Sequence, residues 1–256
     1  MNTETLHLWC AYPDDLLDEE AAHACSLLLS EEEQARLRAF RFDRHRREYL
    51  ATHALLRNAL SHYRALPPAA WRFQSNAYGK PAIEPDCGLR FNLSNSLGLA
   101  VCLIAEGAEV GVDVESRERA ESIAEVGHRM FVPKELAQLE GLRENQRPTR
   151  RLRLWTLKEA YVKARGMGLA LPLSKFSFVF EGDRQIHLEM DPSLDDEPEH
   201  WQFCVVEHAG HCIAMMVEKI ATPELHVWES RPPSAAPRQL SVAKELWFPR
   251  WRAGVP

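Results

Sequence analysis

The chain has 256 residues, enough for one large domain or two of about 110–130 residues. Hydrophobic residues make up 45% and charged residues 27%, a globular rather than a disordered composition. The formal net charge of −6 does not suit a general nucleic-acid binder, and the longest apolar run, Leu97–Ala105, is about half of a membrane span.

Met1-Asn2-Thr3-Glu4-Thr5 has neither a basic n-region nor an apolar core, so a cytoplasmic protein is expected. Leu6–Tyr12 reads as a short strand. Helical pattern then runs from Glu19 to about Arg64, with Ser30-Glu31-Glu32-Glu33 as an N-cap and capping box. Leu50, Ala54, Leu56 and Leu60 give its apolar face, which ends before Pro67-Pro68. Beyond this the period becomes two. Trp71–Phe73, Leu89–Leu93, Leu99–Ala105 and Val110–Glu115 read as an antiparallel meander.

The second half repeats the order. Helices are predicted over Pro133–Arg143 and Arg150–Arg165, and strands over Phe176–Phe180, Gln185–Met190, Trp201–Val206 and Cys212–Glu218. Glu181-Gly182-Asp183 is read as a hairpin turn. The fold class expected is α+β (α/β): two similar subdomains with pseudo-twofold symmetry, each with helices packed on an antiparallel meander sheet. Their bounds are 1–115 and 116–221, followed by a Pro-rich tail over 222–256. Ser230–Gln239 reads as an extended linker, and Trp247 and Trp251 as anchors. The six cysteines form no C-x-x-C pair and are expected as structural thiols. His208, His211 and Cys212, on a hairpin without a second ligand pair, are read as structural too.

Four features carry chemistry. Alternation in Val110-Gly111-Val112-Asp113-Val114-Glu115 places Asp113 and Glu115 on one strand face, about 7 Å apart, where they repel unless a cation sits between them. Oxygen-only ligands suit Mg²⁺; a solvated strand face would look the same. On a helix, Trp155, Glu159 and Lys163 share one face, opposite the apolar stripe of Leu154, Leu157, Tyr161 and Ala164. Glu159 with Lys163 one turn away fits phosphoryl transfer, where a metal and a cation stabilise the moving group; a surface ion pair is the plainer alternative. Tyr78-Gly79-Lys80-Pro81 holds Lys80 in an extended stretch, and within Phe91-Asn92-Leu93-Ser94-Asn95-Ser96 the side chains of Ser94 and Asn95 are candidate donors to phosphate oxygens, though turns often look like this. From Arg36 to Arg64 eight arginines face only Asp43 and Glu48, a patch suited to a small polyphosphate ligand.

Together and in this order, these segments resemble the 4′-phosphopantetheinyl transferase superfamily, in its larger, surfactin-type, pseudo-dimeric class. Tyr78–Pro81, Phe91–Ser94, Gly111–Glu115 and Trp155–Lys163 carry the resemblance, and Gly166-Met167-Gly168-Leu169 and Leu171-Pro172-Leu173 extend it. It covers roughly Ser30 to Lys219.

The resemblance implies transfer of 4′-phosphopantetheine from coenzyme A to a serine of an apo acyl or peptidyl carrier protein. It implies coenzyme A in the cleft between halves and Mg²⁺ held by Asp113, Glu115 and Glu159. Lys163 would neutralise phosphate, Lys80 and Ser94 would contact the nucleotide end, and Arg46 or Arg47 the 3′-phosphate. Lys158 is placed beside the same ligand. Phe131 and Glu135 resemble the family's aromatic-plus-Glu segment, so Glu135 joins Glu159 as a candidate base. Asn95 stands where the family often has His, replacing a group able to carry charge with one that only hydrogen-bonds. That departure keeps open a non-catalytic binder of coenzyme A or of a carrier protein. A metal-dependent pyrophosphate hydrolase has no motif of its own. Ser116–Met130 is the docking region by resemblance, and a monomer suffices to build the cleft.

Overall fold

The computed structural model describes residues 5–127, 130–182, 185–218, 220, 223–231, 236–240 and 246–248. After β1 (Thr5–Ala11) come α1 (Glu19–Ser26), α2 (Glu31–Ala39) and α3 (Asp43–Ser61). The single helical stretch expected here is three helices, because side chains terminate each piece. Ser30 and Glu33 close a reciprocal capping box that starts α2 afresh. Gln34 Nε2 ties the preceding turn by donating to the Ser26 and Leu29 carbonyls.

Strands β2 (Phe73–Ser75) and β3 (Pro81–Ile83) make a small hairpin, followed by β4 (Leu89–Ser96), β5 (Leu99–Glu106) and β6 (Val110–Ser116). Helices α4 (Ala120–Gly127), α5 (Pro133–Glu140) and α6 (Arg147–Arg165) lead to β7 (Phe176–Glu181), β8 (Gln185–Met190), β9 (Trp201–His208) and β10 (His211–Glu218). Three further strands come from the tail: β11 (Glu224–Glu229), β12 (Arg238–Leu240) and β13 (Leu246–Phe248).

Beside the two-stranded β2-β3 and β7-β8 pairs, two larger sheets result, ordered β12-β11-β1-β5-β4 and β13-β9-β10-β6. Their inner faces share one core in which Leu6, Leu8 and Leu103 meet Val112, Ile213 and Met215. The outer face of the first sheet packs Trp9, Cys102 and Ile104 on Leu55, Leu56 and Leu60 of α3. On the second sheet, Phe203, Ala214 and Met216 pack with Leu154, Leu157 and Tyr161 of α6. The layers therefore run helix, sheet, sheet, helix. Each fully buried Leu or Phe contributes roughly 1.5–3 kcal/mol, so these faces, rather than helix propensity, hold α3 and α6 in place.

Three expectations are corrected. Val110–Ser116 does not close an N-terminal meander: β6 pairs antiparallel with β10, so a boundary at Glu115 falls inside the second sheet. Trp71 is buried ahead of β2 rather than within a strand. The tail is more than a linker, since β11 runs parallel to β1, β12 pairs with β11, and β13 pairs with β9. Trp247 lies on β13, whereas Trp251 and Asp183 are outside the described residues. Cys10, Cys25, Cys102, Cys204 and Cys212 are buried and Cys87 is partly buried. His211 faces the carbonyls of Ala209, Ser96 and Leu97, and His208 the Tyr12 hydroxyl.

Candidate active site

Gly111 sets the site's geometry. A Cβ there would lie 2.1 Å from the Ala160 carbonyl oxygen and 2.4 Å from the Ala164 nitrogen, so only glycine lets the α6 backbone rest directly on β6. Alternation along β6 sends Val110, Val112 and Val114 into the inter-sheet core and Asp113 and Glu115 to the α6 side. Close packing at Gly111 then brings Glu159 and Lys163, one turn apart on α6, against those carboxylates.

Lys163 Nζ donates to Asp113 Oδ1 at 2.7 Å and to Ser94 Oγ at 2.8 Å. Ser94 Oγ donates to the same Oδ1 at 2.9 Å. Glu115 Oε2 accepts from Ser96 Oγ at 2.8 Å, and Arg119 Nη1 donates to both Glu115 oxygens at 3.0 and 3.1 Å. Glu159 and Lys163 line a cleft of about 680 Å³ whose walls include Lys80, Leu93, Met130 and the segment Leu171–Ser174.

The charge balance is unfavourable to three carboxylates. Burial, then the Asp113 carboxylate and more weakly Glu115, pushes the Glu159 carboxyl above its ordinary range. Burial likewise raises Glu115, with Asp113 adding to it and the Ser96 hydroxyl opposing it. Among the described residues no three His, Cys, Asp or Glu side chains converge as ready metal ligands; Lys163 and Arg119 hold Asp113 Oδ1 and Glu115 instead. The donor set nonetheless fits a hard cation. Asp113 Oδ2 is buried with no hydrogen-bond partner, and a divalent ion would relieve both that orphaned oxygen and the mutual repulsion.

Several expected site residues have other work. Glu135 and Lys158 form a fully buried ion pair at 3.0 Å. Glu135 also accepts from the N–H groups of Val132 and Phe178, and Lys158 donates to the Leu173 and Phe176 carbonyls. With those bonds made and neither side chain exposed, the pair is placed as an internal tie rather than as a base and a ligand contact. Lys80 sits at the cleft, but its ammonium donates to Glu109 Oε2, Val110 O and Ala164 O, which are three acceptors for three protons. It latches the β2–β3 hairpin onto the C-terminus of α6, helped by Asn76 Nδ2 donating to the Gly166 carbonyl. Ser94 is likewise engaged by Asp113, Lys163 and the Val114 N–H.

Arg46 bonds Asp43 and the Phe40 carbonyl, and neither it nor Arg47 lines the cleft. The arginine stretch is also thinner than its sequence implies: Arg57 is buried in a bridge to Glu33, and Arg64 pairs with Glu106. Asn95 is exposed, on the face of β4 opposite Ser94. Residues not anticipated are Arg119, Glu109 and Ser96. For Ser96 the signal was present as polar residues at 92, 94 and 96, the period of one strand face.

A profile described as the 4′-phosphopantetheinyl transferase superfamily matches residues 109–216, and one for the 4′-phosphopantetheinyl transferase N-terminal segment matches 17–107. The chain belongs to the 4′-phosphopantetheinyl transferase superfamily. With both segments matched, it is of the larger class. It is 34% identical over 174 residues to the 4′-phosphopantetheinyl transferase HetI of Nostoc sp., covering 66% of this chain and 71% of that one. It is 27% identical over 188 residues to Sfp of Bacillus subtilis, covering 73% and 83%. Among solved structures, a holo-(acyl-carrier-protein) synthase from Bacillus anthracis in complex with CoA matches with TM-score 0.37 and 19% identity, covering 44% of this chain and 96% of that one.

Proposed function

We propose that this superfamily member transfers the 4′-phosphopantetheinyl group of coenzyme A to a serine of an apo acyl or peptidyl carrier protein, releasing adenosine 3′,5′-bisphosphate. The observation carrying this reading is the Asp113–Lys163 pair, whose Lys163 lines the cleft together with Glu159. The serine oxygen forms a bond to the phosphorus bearing pantetheine. The bond from that phosphorus to the pyrophosphate bridging oxygen breaks, and adenosine 3′,5′-bisphosphate leaves with the electron pair.

Asp113, Glu115 and Glu159 would hold Mg²⁺, which when bound neutralises pyrophosphate charge. Lys163, with its side chain 28% exposed at the cleft, places an ammonium beside the phosphates. Glu159, also at the cleft, takes the serine proton directly or through water. The apolar wall of Val162, Leu171 and Leu173 accommodates the pantetheine arm and limits water around the reacting phosphorus. All of these groups come from one chain, which supports a monomer as the working unit. No helix among the described residues is long and apolar enough to cross a membrane.

The test is the intact mass of apo acyl and peptidyl carrier proteins after incubation with the protein, coenzyme A and Mg²⁺, with an EDTA control. A metal-dependent gain of one phosphopantetheine supports the reading, and the ranking of carriers identifies the pathway. Coenzyme A binding without mass gain on any carrier favours the non-catalytic binder.

A further inference from the structure

The inner edges of the two sheets, β4 and β6, meet without a backbone ladder. Asn92 Oδ1, Ser94 Oγ and Ser96 Oγ accept the N–H groups of Val112, Val114 and Ser116 at 2.8, 3.3 and 3.2 Å. Side chains at alternate positions of β4 thus act as surrogate carbonyls for alternate residues of β6, and the shared period of two keeps the rows in step.

This arrangement fixes the direction of a proton. A serine hydroxyl has one hydrogen to donate. Because Ser96 Oγ accepts the Ser116 N–H, its own hydrogen is left for Glu115 Oε2, 2.8 Å away. Ser96 is buried, at 5% exposure. The other partner of Glu115, Arg119, has a side chain 46% exposed, where solvent screens and loosens an ion pair. Arg119 reaches both oxygens, but only Oε2 is also held from the interior by Ser96, so Oε1 has the displaceable guanidinium alone.

We propose that Ser96 is a positioning residue for Glu115: its hydroxyl fixes the carboxylate through Oε2 and leaves Oε1 as the oxygen offered to a divalent cation. The inference rests on the transferase reading for the cation's role. Ser96 itself does not line the cleft.

The experiment is Mn²⁺ titration of the full chain, followed by electron paramagnetic resonance, for wild type, Ser96→Ala, Ser96→Cys and Ser96→Thr. Mn²⁺ shares the oxygen-donor preference of Mg²⁺. Cysteine nearly keeps the serine volume with only a weak donor, so it decides the matter if alanine opens the seam and fails to fold. Ala and Cys are expected to weaken Mn²⁺ binding about tenfold, the lower end for loss of a partner behind a ligand, and Thr to stay within about twofold of wild type. In carrier-loading assays the cation concentration at half-maximal rate should rise by the same factor, with kcat at saturating cation nearly unchanged. Unchanged Mn²⁺ affinity in Ser96→Cys overturns the inference, as does an equal loss in all three variants, which would assign the effect to packing. A wild type that neither binds Mn²⁺ nor loads any carrier instead overturns the transferase reading, and the inference with it.

Discussion

Lys163 Nζ lies 2.7 Å from Asp113 Oδ1, while Asp113 Oδ2 is buried with no hydrogen-bond partner. One carboxylate thus has an oxygen neutralised by the protein and an oxygen left bare, beside Glu115 and Glu159. Such an arrangement holds the fold together less well than it could, a common feature of working sites. Asp113→Asn is expected to lower carrier loading by about a thousandfold, the several kcal/mol that a misplaced metal and ammonium represent. Its melting temperature should hold or rise, because one of three repelling carboxylates is gone. Intact-mass kinetics and thermal denaturation read both; a loss below tenfold would remove Asp113 from the site.

Glu135 and Lys158 are assigned a structural tie, and a thermodynamic cycle tests it. Lys158→Met should destabilise the protein by about 3–5 kcal/mol, since it strands a buried carboxylate. Adding Glu135→Gln should recover much of that loss, because a neutral amide can still accept an N–H from Val132 or Phe178. Urea denaturation measures each variant. If Glu135 were the base, the double variant would be stable yet inert at saturating coenzyme A; loading within about tenfold of wild type is expected instead.

Glu33 links α2 to α3 and governs acid stability. Burial disfavours its charge, but hydrogen bonds from His53 and the Ser30 N–H, with Arg57 beside it, outweigh burial and bring its carboxyl down to about 2. A depressed acid stabilises the fold above its unfolded value, near 4.5, and loses that contribution as pH falls toward 2. The amount is on the order of 3 kcal/mol at neutral pH. Denaturation midpoints of wild type should therefore fall between pH 5 and about pH 2 more steeply than those of Glu33→Gln, which starts lower and changes less.

Asn95 points outward from β4, away from the Ser94–Asp113 contact. Asn95→His should leave the melting temperature unchanged and tighten coenzyme A binding by about two- to fivefold through an added charge-assisted hydrogen bond. Calorimetric titration decides. Unchanged or weaker binding would mean that this face does not meet a phosphate.

Much of this was legible from residue order. The alternation in Val110–Glu115 and the opposed faces of Leu157–Tyr161 and Glu159–Lys163 place both halves of the acidic site, and the helix-then-strand order appears in each half. What sequence could not assign was how hydrogen-bonding capacity is used. Lys80, Ser94 and Lys158 have residue types suited to phosphate, yet carbonyls and carboxylates from distant segments engage them first. Strand partners were similarly hidden. Val110–Glu115 alternates equally well beside β5 or β10; in the fold it pairs with β10, while the polar row at 92, 94 and 96 satisfies its other edge through side chains.

The parallel ladder from Thr5–Glu224 to Cys10–Glu229 has a consequence for synthesis on the ribosome. β1 leaves the ribosome long before β11, so one edge of the first sheet stays unpaired over that interval. Trp9, which stacks on Trp228 at 5.7 Å, waits for its partner over the same interval. Completion of this sheet is therefore a late, long-range event, and the nascent N-terminal half carries an open edge of the kind that chaperones shield.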